Sequence, residues 1–161
     1  MKDTQVEMIN EWIEDSRILL KCYLSKSQKF KQQNRILKII SASISTLLLT
    51  LLFIFIRLEL MTSNFHVILI SVIGLISTIL TISIAFLNLI DDANKCDSSG
   101  SQYATIRKEL EYIKNFEKEN PEHLRNELQR INDKWNFVRK NSIPITPKEI
   151  GACKDKMNLS T

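Results

Sequence analysis

Six residues of one apolar run, Ser71, Gly74, Thr78, Thr81, Ala85 and Asn88, recur at intervals of 3, 4, 3, 4 and 3. That spacing predicts that they share one face of a helix. A shorter set, Ser43, Thr46 and Thr50, follows the same rule in an earlier run, with Ser41 and Ser45 beside it; Ser77 and Ser83 lie off the later stripe. Small and hydroxyl side chains on one face of an apolar helix can do two things. They let two backbones approach closely in lipid, and Gly74-x-x-x-Thr78 is a small-xxx-small motif of that kind. Alternatively, their hydroxyls meet water along the wall of a pore when several copies form a ring. The spacing fits both, so these residues are candidates for pore lining or for packing within a hairpin.

Lys38 precedes the first apolar run, and Asp91 and Asp92 follow the second. They read as interfacial residues that mark span ends. In a ring they would also form a cytoplasmic mouth, in which the two aspartates favour cations and Lys38 works against them. Catalytic chemistry finds less support. The chain has no phosphate-binding loop, no Gly-rich dinucleotide turn and no Cys or His cluster with metal spacing. The expectation is therefore no enzyme, no cofactor and no metal. Cys22, Cys96 and Cys153 are odd in number and far apart, and read as ordinary thiols of a reducing compartment.

The elements that must position these residues are two runs, 39–56 and 67–90, neither of which contains a charged residue. An uncharged apolar run of about 18 or more residues predicts a membrane-spanning helix. A soluble helix of that length would carry charge along one face. Ten residues, 57–66, separate the runs, with Arg57 and Glu59 marking the far interface. This is too short for a re-entrant selectivity filter. From Ser16 to Lys38 inclusive stand seven basic residues and no acid. Basic residues beside a span set its orientation, so both termini are expected in the cytoplasm. The same cluster could touch anionic lipid; nucleic acid is not expected.

The flanks predict helices. Residues 1–38 read as a basic amphipathic segment, its stripe broken at Ser16 and Ser27. The region 91–147 carries two seams: Tyr103, Ile106, Leu110 and Ile113 at 3, 4, 3, and Leu124, Leu128, Ile131, Trp135 and Val138 at 4, 3, 4, 3. The second has coiled-coil spacing but is short, so it must pack on the N-terminal helix or on neighbouring subunits. Both are candidate assembly seams. Asn120 and Pro121 start the helix that carries the second. Thr146-x-x-Glu149 with Pro147 caps a last turn, and residues 148–161 read as a flexible tail. The fold class is an all-α membrane protein: a two-span hairpin flanked by cytoplasmic helices.

This layout resembles the SLATT superfamily of two-transmembrane effector domains. After the second span the family has a small residue, then Tyr, then Leu at three-residue steps. Gly100, Tyr103 and Ile106 stand in that relation here, with Ile in place of Leu. Trp135 followed by the proline-containing stretch 142–147 is similar to the family's end. The resemblance covers about residues 5–147. It implies a membrane effector that forms pores when a separate sensor or regulator protein fires. The leading expectation is thus a homo-oligomeric, weakly ion-selective pore. The alternatives are a non-conducting adaptor that docks a partner on its C-terminal helices, and a holin-like lysis protein.

Overall fold

The computed structural model describes residues 3–57, 64–116 and 121–158, and all of its regular structure is helical. Five helices follow in order: α1 (Asp3–Arg57), α2 (Asn64–Phe86), α3 (Leu89–Phe116), α4 (Pro121–Asn141) and α5 (Pro147–Asn158). Of the loop expected over 57–66, Arg57 ends α1 and residues 64–66 open α2, and the rest, with Glu59, lies outside the described residues. Residues 1–29 and 92–161 form one compact unit, and residues 30–91 form another.

The basic amphipathic segment and the first apolar run are one uninterrupted 55-residue helix. Nothing between Ser16 and Ile39 breaks it, because this stretch holds no Pro or Gly. The second run ends earlier than its composition predicts. α2 stops at Phe86, Leu87 N–H still reaches Ser83 O at 3.0 Å, and Asn88 takes a left-handed φ of 41°. Asparagine is among the few non-glycine residues that adopt this region readily. Leu89 and Ile90 therefore belong to α3, and the span expected over 67–90 is divided at 87–88.

In the unit of residues 1–29 and 92–161, α3 and α4 pack on the first part of α1. Both predicted seams are core. Tyr103, Ile106, Leu110, Ile113, Leu124, Leu128, Ile131 and Val138 are buried. Fully burying each aliphatic side chain of this kind stabilises by about 1.5–3 kcal/mol. Trp135 is half-buried and lies 6.4 Å from Trp12 and 5.2 Å, edge-on, from Tyr103. Tyr103 in turn stacks on Tyr23 at 5.6 Å. Glu109 of α3 ties to α4 through Lys134 at 2.6 Å and Arg130 at 3.7 Å.

Ser16 and Ser27 do not interrupt the N-terminal stripe, since both are fully buried. Their small side chains let a neighbouring helix come close, and Ser16 donates to Ile13 O at 2.7 Å. The polar stretch 95–101 likewise stays helical. A Cβ on Gly100 would sit 3.6 Å from Leu20, Tyr23 and Leu24, so α1 and α3 approach closely there.

Where a flexible tail is expected from residue 148, the structure has a helix over Pro147–Asn158. Thr146 N–H donates to Glu149 Oε2 at 2.7 Å, and Glu149 N–H donates back to Thr146 Oγ1 at 3.3 Å. This reciprocal capping box, with Pro147 at the first helical position, starts a twelve-residue helix. α5 buries Met157 against Ile18 and Cys22.

Candidate functional site

The unit of residues 30–91 holds the two apolar segments. Both helices are long and apolar enough to cross a membrane, and none of either apolar window is buried within the chain. Phe53 is 70% exposed, Leu49 68%, Leu75 64% and Ile79 56%. Large exposed apolar side chains of this kind suit an apolar surrounding.

The contact between α1 and α2 is made by small polar residues. Ser41 Oγ lies 3.4 Å from Thr81 Oγ1, and Ser45 Oγ lies 3.1 Å from Ser77 Oγ. A Cβ on Gly74 would meet Leu48 Cδ1 at 3.8 Å. Positions descend on one helix as they ascend on the other: 41 with 81, 45 with 77, 48 with 74. The contact thus takes Gly74 and Thr81 from the predicted stripe and adds Ser41, Ser45 and Ser77, which the spacing had set beside it. Ser77 was missed because it falls one position from Thr78. The hydrogen bond to Ser45 depends on the partner helix, which periodicity within α2 alone does not show.

Of the remaining predicted residues, Thr78 lines one groove with Ser45, Leu48, Gly74 and Ser77, whereas the α1 set separates from this contact. Ser43, Thr46 and Thr50 are exposed. At 100° per residue they lie across α1 from Ser41, Ser45 and Leu48. They line a shallow groove on their own helix with Ile39, Ala42 and Leu47. Each hydroxyl donates to the carbonyl one turn back: Ser43 to Ile39, Thr46 to Ala42 and Thr50 to Thr46, all at 2.9 Å. Thr78 does the same to Gly74 O and Thr81 to Ser77 O, also at 2.9 Å. Ser71 and Thr78 are exposed on α2. Ala85 lies in α2 with its side chain outside the described residues, and Asn88 occupies the break. Lys38 and Asp91 are exposed, whereas Asp92 has Lys95 at 4.0 Å on the next turn of its own helix.

The other unit carries the titratable chemistry. Cys22 of α1 and Cys153 of α5 are paired as a disulfide, with Cα atoms 5.8 Å apart and a sequence separation of 131. This corrects the reading of three ordinary thiols. Only the packing of α5 on α1 brings the two sulfurs together. Cys96 is buried and free, and burial pushes its thiol pKa up. Burial also raises the Tyr23 phenol, whose hydroxyl donates to Ile143 O at 3.1 Å, and pushes Tyr103 up to about 12. None of these groups is poised to ionise near neutrality. Glu149 moves the other way. The backbone N–H of Thr146 holds its carboxylate below the ordinary value, and Lys26 adds to this at 3.0 Å. Among the described residues no group of His, Cys, Asp and Glu side chains clusters so as to hold a metal ion.

The candidate assembly seams are closed within the chain. Leu124, Leu128, Ile131 and Val138 face the core and do not present a stripe to a second copy. No known protein family, curated protein or solved structure matches the chain.

Proposed function

We propose that this chain is a pore-forming membrane effector, in which α1 and α2 form a transmembrane hairpin and several hairpins assemble into a ring. The observation that carries the reading is the division of the polar residues into two faces. One set, Ser41, Ser45, Ser77 and Thr81, is occupied between α1 and α2. The other, Ser43, Thr46 and Thr50, lies exposed on the far side of α1, in a groove lined by that helix alone among the described residues. A hydroxyl stripe in an otherwise aliphatic segment is suited to a second hairpin or to water, and a ring supplies both. With no charge inside either apolar run, such a lumen discriminates weakly among ions.

The basic residues between 17 and 38 favour a cytoplasmic location for both termini. In the SLATT-like reading, a separate regulator acts on the unit formed by residues 1–29 and 92–161. An adaptor that docks its partner through Leu124, Leu128, Ile131, Trp135 and Val138 is less favoured, because that seam is occupied internally.

The test is ion flux through planar bilayers containing the full-length protein. The expected result is discrete current steps that fall severalfold in a Thr46→Leu, Thr50→Leu variant with unchanged insertion. Steps of normal size in that variant would remove the α1 stripe from the lumen. A wild-type protein that is inserted, oligomeric and silent with every cytoplasmic fraction tested would sink the pore reading.

A further inference from the structure

The Cys22–Cys153 disulfide lies in the wall of a groove between α1 and α5 with a volume of about 460 Å³. Five lysines line the same groove: Lys21, Lys26 and Lys29 from α1, and Lys148 and Lys156 from α5. The one carboxylate among the lining residues, Glu149, is already engaged by Lys26. The groove is therefore strongly basic around a sulfur–sulfur bond. The two sulfurs differ in access. Cys22 is buried, whereas Cys153 is only half-buried. Besides the disulfide, other contacts fasten α5. It is held by the Lys26 contacts to Glu149 and to Pro144 O, and by a small apolar cluster of Ile18, Met157, Ile145 and Ile150.

We propose that Cys22–Cys153 is a reversible thiol–disulfide clasp on α5, exchanged by an anionic low-molecular-weight thiol that approaches along the lysine-lined groove. In the opening direction the sulfur of the external thiolate bonds to the more accessible Cys153 Sγ. The protein S–S bond breaks, and its electron pair leaves on Cys22 Sγ, which takes a proton from water. A carbonyl is in place for the resulting thiol: Glu149 O lies 3.9 Å from Cys22 Sγ. A second external thiolate then attacks the external sulfur of the mixed disulfide and releases Cys153 as thiolate, which is protonated in turn. Two external thiols become one external disulfide, and the two cysteines gain two electrons and two protons. Closing runs the same steps backwards with a small disulfide as oxidant. Basic surroundings favour thiolates and attract carboxylate-bearing reagents. The clasp does not depend on whether the chain conducts.

The experiment uses the full-length protein in lipid nanodiscs, with glutathione as the anionic thiol and mercaptoethanol as the neutral one. Amide hydrogen exchange is read over residues 147–158. Exchange should be roughly tenfold or more faster after reduction, with little change over residues 121–141. Cys153→Ser should behave as the reduced form whatever the redox buffer. Equal protection of α5 in the oxidised and reduced proteins would overturn the clasp. The rate of reduction, read by alkylation and mass spectrometry, tests the groove. Lys148→Glu with Lys156→Glu should slow glutathione severalfold and mercaptoethanol, whose attacking thiolate carries a single negative charge, distinctly less. Equal effects on the two reagents, or no effect on either, would overturn the lysine-guided approach.

Discussion

The hydroxyls of Ser45 and Ser77 lie 3.1 Å apart where the two apolar helices touch. One turn further along, Gly74 sits opposite Leu48, with room for a methyl group. Gly74→Ala should therefore preserve the contact, and Gly74→Leu should part the helices. Cysteines placed at positions 45 and 77 report this directly. They should crosslink within one chain in the Gly74→Ala background and fail to do so with Gly74→Leu. Removing either serine hydroxyl by Ser→Ala should cost only about 0.6 kcal/mol, the average for such bonds in membranes.

Thr81 and Thr46 should respond differently to the same substitution. Thr81 reaches Ser41 across the helix contact, so Thr81→Leu should loosen α1 from α2 and lower the yield of folded protein. Thr46 faces away from α2, and Thr46→Leu should leave the monomer intact while altering oligomer distribution or conductance. Chemical crosslinking in bilayers separates the two outcomes. If both variants lose folded monomer equally, the division into two polar faces is wrong.

Gly100 offers a stabilising change. Its helical backbone needs no special conformation, and a Cβ would meet its three neighbours at an ordinary 3.6 Å. Gly100→Ala should gain up to about 1 kcal/mol from helix propensity, read as a rise in Tm. Gly100→Leu has no space between Leu20, Tyr23 and Leu24, and should lose about 1–3 kcal/mol through overpacking.

The α5 cap should be acid-sensitive. The folded-state pKa of Glu149 is lowered from 4.5, first by the Thr146 N–H and then by Lys26, while partial burial opposes both. A depressed carboxylate stabilises the fold above its ordinary value, and the contribution is lost as pH falls through the folded value. Amide protection across residues 147–158 should hold from neutrality to about pH 5 and fall below it. Thr146→Ala should cost about 1 kcal/mol of local stability at neutral pH. Glu149→Gln, which keeps a capping side chain, should flatten the acid dependence. An unchanged acid profile in that variant would assign the sensitivity to another group.

Long uncharged runs, the 3-4 seams of α3 and α4, and the Thr146–Glu149 capping box were all legible in the sequence, because each is a local pattern. Other features were not, for identifiable reasons. Ser16 and Ser27 read as polar breaks, yet small size matters more than polarity where two helices close on one another. Asn88 continued a heptad stripe so well that its left-handed conformation was hidden. Only its tolerance of positive φ pointed to a break. Cys22 and Cys153 gave no signal, since a sequence separation of 131 carries no spacing rule. The polar stripes were half legible. Their periodicity picked out Gly74 and Thr81, but which hydroxyls meet another helix is set by that helix.

The hydrogens on the α1 stripe have a consequence of their own. A serine or threonine hydroxyl owns one hydrogen and two lone pairs. Ser43, Thr46 and Thr50 have each turned that hydrogen inward, to a carbonyl of the same helix. The face they present outward is therefore made of acceptors. Whatever lies against it must bring its own hydrogen or positive charge: a water molecule turned hydrogen-first, a side-chain amide of a neighbouring helix, or a cation shedding part of its hydration shell. A chloride ion passing there would keep its water shell, so the preference such a face sets between cations and anions is slight.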